Sequence, residues 1–421
     1  MALSAAQTAI VKSTAPILKE QGTRITTLFY KNMISAHPEL RNIFNLANQH
    51  SGDQPRALAN AVLSYAQHID DLGALSPAVE RIAQRHVSLR VLPEQYPIVG
   101  KHLLGAIAEV LGPALTPGIA EAWTAAYNQL ASVFIHREAE MYSEEGEWVG
   151  WRRFRVEKRE KESPLVDSFY LVPEDGRPLP ACHPGQYVSV RVKVSSLDGI
   201  FQCRQYSLSE APRADRYRIS VKRQVPSAGR EDDRGDPPAG LVSNLLHDNY
   251  KAGDVVEMSF PRGDFTVDVE DPAKADVPLV LMSAGVGVTP EMSILDAVLS
   301  PESKVTSRPI HWIHAARNGE EVPFGQHVRK VAGEKSNVGT VLFLEKVKQG
   351  EEKGRDFDFD GIFDLNRLDR DEHLSLQDPR TDYYVCGPQS WMLAVRDRLE
   401  EFGVKRGRIH MELFGTGDVN D

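Results

Sequence analysis

The spacing of hydrophobic residues changes twice along the chain and predicts three kinds of structure. From about residue 4 to 142, apolar residues recur at intervals of three, four and seven, as in Ile25, Leu28, Phe29 and Met33. Glycine and proline breaks divide this region into about six to eight helices. The first part of the chain, residues 1–146, is therefore expected to be an all-α domain.

Beyond Trp151 the period becomes two. Val188, Val190, Val192 and Val194 alternate with polar residues, which is typical of strands that bury one face. This pattern predicts an antiparallel, barrel-like domain over residues 151–268, reached through an acidic linker at 144–147. Residues 226–240, rich in proline, glycine and charge, are expected to form a long solvated loop.

A third pattern begins near Val277. Short apolar runs at 277–282, 310–314, 341–344 and 383–386 alternate with helical segments, which predicts an α/β domain with a parallel sheet over residues 275–421. Sheets of this kind bind nucleotides at the carboxyl ends of their strands, near the point where the strand order reverses.

The composition limits the classes of molecule that the protein is expected to bind. The chain has 421 residues, 26% charged, with a net charge of −10, so neither a nucleic-acid surface nor an anionic-membrane surface is indicated. No apolar stretch reaches the ~20 residues of a membrane span, and the N-terminus has no signal-peptide pattern. Three widely spaced cysteines favour a reducing compartment over a disulfide framework. A cytoplasmic monomer acting on small molecules is expected.

Two turns follow predicted strands of the α/β domain. Residues 283–290 contain Gly285 and Gly287 and open a helix, so free backbone N–H groups can hold a pyrophosphate, with Thr289 as the cap and Pro290 in the first turn. Taken alone, this segment fits an ordinary tight turn equally well. A second turn, Cys386-Gly387-Pro388, is expected at the same sheet edge.

The barrel-like domain carries a possible flavin motif. Residues 184–187 (Pro-Gly-Gln-Tyr) precede one strand, and 204–207 (Arg-Gln-Tyr-Ser) end another. An arginine suits a pyrophosphate, a tyrosine packs against an isoalloxazine, and a serine hydroxyl reaches its reactive nitrogen. Arginine and tyrosine also occur at ordinary strand ends, so this motif alone leaves both interpretations open.

In the helical domain, His86 shares an inward stripe with Val79, Ile82, Ala83 and Val87. A lone inward histidine is more often a core residue than a metal ligand. Tyr96 and Glu138 can serve as its hydrogen-bond partners, and an imidazole bonded to a carboxylate and a phenol donates more electron density to an axial metal. The sequence does not establish that these three residues meet.

The order of the motifs resembles known families. From about residue 151 to 415, Pro-Gly-Gln-Tyr, Arg-x-Tyr-Ser, Gly-Leu-Val-Ser-Asn, Gly-x-Gly-x-Thr-Pro, Cys-Gly-Pro and Glu-Leu-Phe-Gly resemble the ferredoxin–NADP reductase family. The segments 29–30, 37–40, 43–45, 52–54, 84–86, 93–96 and 137–140 resemble the globin domain of flavohemoglobins. The resemblance covers essentially the whole chain and implies haem b, FAD and NADPH or NADH as cofactors.

The resemblance also implies roles for individual residues. His86 becomes the iron ligand, Tyr96 and Glu138 its relay, Phe44 a haem-packing aromatic, and Tyr30 and Gln54 the groups facing bound oxygen. The flavin and nicotinamide contacts that it implies are Tyr187, Arg204, Gln205, Tyr206, Ser207, Val242, Ser243, Gly285, Val286, Gly287, Val288, Thr289, Pro290, Cys386, Gly387, Pro388, Glu412, Leu413, Phe414, Gly415 and Thr416.

The activity that the resemblance implies is nitric oxide dioxygenase. Electrons from NAD(P)H pass through FAD to haem, where O2 bound to the reduced iron reacts with NO to give nitrate. Two alternatives stay open: a haem- and flavin-dependent peroxide or quinone reductase, and a non-catalytic carrier or sensor of oxygen or NO. The reductase pattern argues against a passive binder.

Three positions bear on how closely the chain follows these families. Arg85 stands where lysine is frequent, which keeps the charge, and Leu413 stands where cysteine is frequent. Arg317, just after a predicted strand, can reach the 2′-phosphate of NADPH, although a plain surface arginine is an equally good interpretation.

Overall fold

A computed structural model describes residues 3–44, 51–225 and 240–415. Its first part is helical, as predicted. The six α-helices found before residue 150 in the described ranges are α1 (Ala5–Ser13), α2 (Ala15–Ala36), α3 (Asp53–Gln67), α4 (Ser76–Ser88), α5 (Tyr96–Leu111) and α6 (Pro117–Ser143). Each buries the stripe that its spacing predicts, with Ile25, Phe29 and Met33 of α2 almost fully enclosed.

The second part is an antiparallel sheet. Its strands are β1 (Arg152–Ser163), β2 (Val166–Pro173), β3 (Tyr187–Val194), β4 (Ile200–Ser207), β5 (Tyr217–Lys222) and β6 (Val255–Met258), with helix α7 (Leu241–Asn249) between β5 and β6. The strand order is β4-β3-β6-β1-β2-β5. An isolated antiparallel bridge from Leu208 to Ile219 joins the two edges into a barrel. Val188, Val190, Val192 and Val194 all point into its core, as their alternation predicts.

The third part is a parallel sheet with helices on its faces. Its elements are β7 (Leu279–Ala284), α8 (Val288–Val298), β8 (Ile310–Ala316), α9 (Gly325–Glu334), β9 (Val338–Leu344), β10 (Phe359–Asp360), β11 (Asp382–Cys386), α10 (Gln389–Glu401) and β12 (Ile409–Glu412). The strand order β10-β9-β8-β7-β11-β12 reverses between β7 and β11. The two turns predicted to bind nucleotide therefore follow neighbouring strands at the switch point.

A buried ion cluster lies at the opposite edge of this parallel sheet. The carboxylate of Asp382 accepts from Arg308 (2.8 Å) and Arg408 (3.1 Å) and lies 3.6 Å from the Lys274 ammonium. Burial alone would raise the pKa of Asp382, but these cations and His410 outweigh it and hold that pKa well below its usual range. Arg308 is only 1% exposed, so this cluster stabilises the domain only while Asp382 is ionised.

The acidic segment 144–147 is less solvated than its composition suggests. Glu145 is buried and pairs with Arg90 (2.5 Å) and with Arg262 (3.3 Å). Arg262, which follows β6, also pairs with Glu144 at 2.7 Å and is itself 3% exposed. These ion pairs join the helical domain to the barrel.

The long solvated loop was predicted over residues 226–240. Of these, residues 226–239 lie outside the part of the chain that the structure describes.

Two further expectations concern the chain as a whole. Within the described ranges, no helix combines the length and apolar character that crossing a membrane requires. Cys182, Cys203 and Cys386 are all free thiols.

Candidate active site

His86, Tyr96 and Glu138 meet inside the helical domain. The Nδ1 atom of His86, near the end of α4, lies 2.8 Å from Glu138 Oε1 and 3.2 Å from the Tyr96 hydroxyl. Tyr96, at the start of α5, donates to the same Oε1 at 2.7 Å. A single oxygen of Glu138 thus orients both groups, accepting from the Tyr96 phenol and from Nδ1–H of His86.

This arrangement leaves the other imidazole nitrogen available. Glu138 is 2% exposed, whereas the His86 side chain is 34% exposed. Every hydrogen bond of the His86 ring to a described residue uses Nδ1. With the proton fixed on Nδ1, the Nε2 lone pair points away from the carboxylate and can bind a metal. A single available imidazole nitrogen suits a prosthetic group that takes one axial ligand from the protein. Among the described residues, no group of three or more His, Cys, Asp or Glu could hold a metal ion.

A second polar group forms around Tyr30. Tyr30, on α2, is 7% exposed and bonds the side chain of Gln54 in the first turn of α3. The Phe44 ring lies edge-on to Tyr30 with centroids 5.5 Å apart. Burial raises the pKa of Tyr30 well above its usual value, which keeps the phenol protonated as a hydrogen-bond donor. The structure therefore brings together Tyr30 and Gln54, the two residues predicted to face bound oxygen, and Phe44, the predicted haem-packing aromatic.

The flavin motif lies on neighbouring strands. In the β3–β4 pairing, Tyr187 stands opposite Ser207, and Val188 opposite Tyr206. Arg204 is half-buried, and the described residues supply it with no carboxylate, since its side-chain hydrogen bond is to the Cys203 carbonyl at 2.6 Å. Burial lowers the pKa of Arg204. A half-buried cation without an anion is costly, so the motif fits a phosphate-bearing ligand.

The predicted pair Val242 and Ser243 opens α7. Val242 is fully buried in the barrel core, so only its backbone N–H can reach a ligand. The Ser243 hydroxyl accepts from the Gln224 backbone at 3.4 Å and donates to the Gly240 carbonyl. Both residues are at a helix N-terminus, as pyrophosphate binding would require, but the Ser243 side chain is already engaged.

The glycine turn contains one correction. Gly285–Gly287 form a 3-10 turn that leads directly into α8, which begins at Val288 with Gly287 as its N-cap. The prediction that Thr289 caps this helix is wrong, because Thr289 lies in the first turn and its hydroxyl donates to the Val286 carbonyl at 3.0 Å. The side chains of Val288, Thr289 and Pro290 are all buried.

The two turns of the parallel sheet touch. A Cβ placed on Gly287 would lie 2.1 Å from the Cys386 carbonyl oxygen and 2.8 Å from the Gly387 nitrogen. Gly387 in turn has no room for a Cβ beside Trp391 and Ala284. This contact confirms that 285–287 and 386–388 form one surface at the switch point.

A thiol and a carboxyl group, those of Cys386 and Glu412, lie at the ends of the strands next to this surface. Cys386 pairs with Glu412 in the β11–β12 register, and its thiol lies 3.5 Å from the Glu412 carbonyl. Burial raises the pKa of Glu412 to about 7 and raises that of Cys386 further above its usual value. At neutral pH the Cys386 thiol is thus protonated, and Glu412 is close to the midpoint of its titration.

The segment after β12 contacts the helical domain. Arg85 donates to the Leu413 carbonyl at 2.6 Å and to the Gly415 carbonyl at 2.9 Å. Leu413 packs into the core of the parallel sheet, while Phe414 is 49% exposed. Thr416 lies outside the described residues. Arg85, which directly precedes His86, is thus hydrogen-bonded to both chain neighbours of Phe414, one of the predicted cofactor contacts.

The remaining candidate, Arg317, lies just after β8 and is 58% exposed. Glu321 approaches its guanidinium no closer than 3.8 Å. Two buried residues were missed by sequence reasoning, Ser88 on α4 and Glu291 on α8. Glu291 is fully enclosed and burial raises its pKa well above the usual value. No local motif marks Ser88, because its partners Ser189 and Gln205 lie on distant strands. None marks Glu291 either, which is one acidic residue within a buried helix.

Comparison with known proteins agrees with this geometry. Residues 27–134 match the Globin family, and residues 281–397 match the oxidoreductase NAD-binding domain family. A flavohemoprotein from Bordetella parapertussis is 47% identical over 416 residues, which is 98% of this chain and 98% of that protein.

Solved structures give the same picture. The flavohemoglobin of Malassezia yamatoensis, solved with bound FAD and heme, aligns with a TM-score of 0.82 at 29% identity, covering 98% of this chain and 100% of that one. The FAD/NAD-binding domain of the nitric oxide dioxygenase of Vibrio cholerae aligns with 63% of this chain and 98% of that one, at 33% identity and a TM-score of 0.51.

The fold and the site define an oxidoreductase in which a globin domain is joined to an FAD- and NAD-type reductase. The chain belongs to the flavohemoprotein family. Family, fold class and oxidoreductase character are thereby confirmed.

Proposed function

We propose that this protein is a nitric oxide dioxygenase that uses NAD(P)H and O2 to convert NO to nitrate. The observation that carries the proposal is the carboxylate of Glu138, which holds His86 Nδ1 and the Tyr96 hydroxyl within 3.2 Å and frees Nε2. The likeness to the FAD/NAD-binding domain of the Vibrio cholerae nitric oxide dioxygenase supports the same reaction. The proposal includes a haem domain over 1–146, an FAD domain over 151–268 and a nicotinamide domain over 275–421.

The residues present fit the expected prosthetic groups. His86 Nε2 would ligate haem iron, with Phe44 packing against the macrocycle. Arg204 and the α7 N-terminus would hold the pyrophosphate of FAD, and Tyr187, Tyr206 and Ser207 its ring. The joined turns at 285–290 and 386–388 would hold NADPH or NADH. When bound, these groups would carry electrons from the nicotinamide to a haem where O2 and NO react.

The protein's own groups would control that chemistry by orientation and hydrogen bonding. Glu138 keeps the proton of His86 on Nδ1 and gives the ring imidazolate character, which strengthens its donation to a metal. The protonated Tyr30 phenol and the Gln54 amide can donate to a small anionic ligand. Their burial excludes water, which strengthens these hydrogen bonds.

Replacement of Tyr30 by phenylalanine tests the distal half of the proposal. Tyr30→Phe should make oxygen leave the reduced holoprotein faster and lower NO turnover, each by at least about tenfold, because one hydrogen bond to a charged ligand is worth ~1.5–3 kcal/mol. Oxygen dissociation is measured by stopped flow.

Tyr65→Phe is the matched control. It removes another buried phenol of the same domain, whose hydroxyl donates to the Ala126 carbonyl at 2.9 Å, and should leave oxygen dissociation unchanged. Equal dissociation rates in wild type and Tyr30→Phe would reject the role of Tyr30.

A further inference from the structure

Helix α4 contains a buried serine two residues after His86, and its hydroxyl is hydrogen-bonded to residues of the barrel. Ser88 is 0% exposed. Its Oγ accepts from the Gln205 side-chain amide at 2.8 Å and from the Ser189 hydroxyl at 3.1 Å. It donates to the Arg85 carbonyl at 2.8 Å. The last turn of the His86 helix is thus hydrogen-bonded to two strands of the barrel.

These hydrogen bonds saturate the Ser88 hydroxyl. A serine hydroxyl has one proton and two lone pairs, and all three are used by partners on two domains. The hydrogen bond to the Arg85 carbonyl holds the Ser88 hydroxyl against its own helix. The hydrogen bonds that it accepts from Gln205 and Ser189 therefore hold that helix against the barrel. Loss of the hydroxyl would leave the Gln205 amide and the Ser189 hydroxyl short of an acceptor in a buried site.

One partner of Ser88, Gln205, is itself a predicted flavin contact, and the other, Ser189, lies beside predicted flavin contacts. Ser189 and Gln205 are directly opposed in the β3–β4 register, two positions along from the opposed pair Tyr187 and Ser207. Residues opposed in an antiparallel ladder, and those two positions along, share one face. Ser88 therefore bonds the same face of the same two strands that carries Tyr187 and Ser207.

Other contacts of α4 with the reductase part lie around this point. The Gln84 side chain accepts from the Gly263 backbone at 3.1 Å, and Arg85 binds the carbonyls of Leu413 and Gly415. Gln84 and Arg85 side chains are long and reach across the surface. Ser88 is short, fully enclosed and bonded to regular strands, so its contact constrains the distance between helix and strands most tightly.

We propose that Ser88 is a positioning residue that sets the geometry for electron transfer between the flavin and haem sites. The inference rests on the proposed function. The step it governs passes one electron at a time from reduced FAD to haem iron, so FAD is oxidised and iron is reduced. NAD(P)H supplies the hydride, and the flavin proton leaves to solvent. Ser88 exchanges no proton or electron and acts only by fixing the two sites.

The test separates the two reductions in the full-length holoprotein. Wild type and Ser88→Ala are mixed anaerobically with NADH, and flavin bleaching and the haem Soret shift are followed in the same stopped-flow trace. Flavin bleaching should stay within about twofold of wild type. Haem reduction should slow by about tenfold or more, since misplacement of reacting groups by ~1 Å costs rate on the order of a hundredfold.

Ser168→Ala is the matched control. Ser168 is equally buried, and its hydroxyl bonds Ser220 at 2.7 Å and Glu162 at 2.6 Å within the barrel. It should leave the ratio of haem reduction to flavin bleaching unchanged, even if the melting temperature falls. Ser189→Ala removes one donor to Ser88 and should slow haem reduction less than Ser88→Ala does, which also tests the inference if Ser88→Ala fails to fold.

Three results decide the matter. A lowered ratio in Ser88→Ala or Ser189→Ala, but not in Ser168→Ala, supports the positioning role. An unchanged ratio in a folded, cofactor-loaded Ser88→Ala, or in Ser189→Ala where Ser88→Ala does not fold, overturns it and leaves the proposed function standing. If NADH bleaches the flavin of wild type without reducing its haem, the proposed electron path fails and the inference falls with it.

Discussion

Gly287→Ala offers the sharpest test of the nucleotide surface, because a single methyl group would separate its two turns. Gly287 has φ −58° and ψ −13°, which alanine adopts without strain. The added Cβ would nevertheless lie 2.1 Å from the Cys386 oxygen and 2.5 Å from its carbonyl carbon. Both atoms belong to the backbone at the end of β11, which is hydrogen-bonded on both sides by β7 and β12. The clash can be relieved only by moving backbone.

The magnitude follows from that rigidity. Overpacking a well-packed site typically costs ~1–3 kcal/mol, and a contact this short against paired strands places Gly287→Ala at the upper end. Because the turn is part of the nucleotide surface, we expect NADH affinity to fall at least about tenfold, equivalent to ~1.4 kcal/mol. Thermal unfolding and NADH titration of the oxidised holoprotein measure the two effects.

Gly333→Ala is the matched control. Gly333 lies in α9, and nothing lies within 4 Å of the position its Cβ would take. That substitution should be neutral or stabilising by up to ~1 kcal/mol, with unchanged NADH affinity. If Gly287→Ala bound NADH as tightly as wild type, the idea that the joined turns form the nicotinamide site would be refuted.

Three further predictions follow from the described contacts. Glu138→Gln should lower NO turnover by about 10–100-fold and raise the haem reduction potential, because the amide no longer holds the imidazole as a strong donor; Glu140→Gln, 60% exposed on the same helix, should change neither. Asp382→Asn should lower the free energy of unfolding by ~3–5 kcal/mol at pH 7. Because the pKa of Asp382 is depressed in the folded protein, the stability of the wild type should decline as the pH falls below about 4. The variant should lose less stability over that range, as measured by urea unfolding. Arg317→Glu should lower the ratio of kcat/KM for NADPH over NADH, whereas Lys330→Glu, 73% exposed on α9, should not; an unaltered ratio in Arg317→Glu would reject the 2′-phosphate contact.

The sequence predicts the fold well because periodicity reports which face of an element is buried. The valines of β3 were correctly predicted to face the core, because a strand that alternates apolar and polar residues can bury its apolar face in only one register. The parallel sheet follows from apolar runs that alternate with helices, and the glycine turn from its residues, whereas the strand order that defines the switch point comes from the structure. His86 can be placed on an inward face by the same reasoning.

Contacts between distant parts of the chain could not be predicted in this way. Ser88 bonds Gln205, 117 positions away, and no local pattern distinguishes it from an ordinary helical serine. The acidic segment near Glu145 reads as a solvated linker because its arginine partners, Arg90 and Arg262, lie elsewhere in the sequence. Thr289 was misplaced for a local reason, since the 3-10 turn leads straight into the helix, which starts two residues earlier than predicted.

The central claim is that electrons from NAD(P)H drive the conversion of NO to nitrate at the site built on His86. The most direct measurement is NO consumption by the purified, haem- and FAD-loaded protein in aerated buffer with NADH or NADPH, with nitrate counted at the end. We expect many turnovers per protein, with nitrate formed in equal amount to the NO lost. Stoichiometric NO binding without turnover, or haem reduction by NAD(P)H without nitrate formation, would contradict the account.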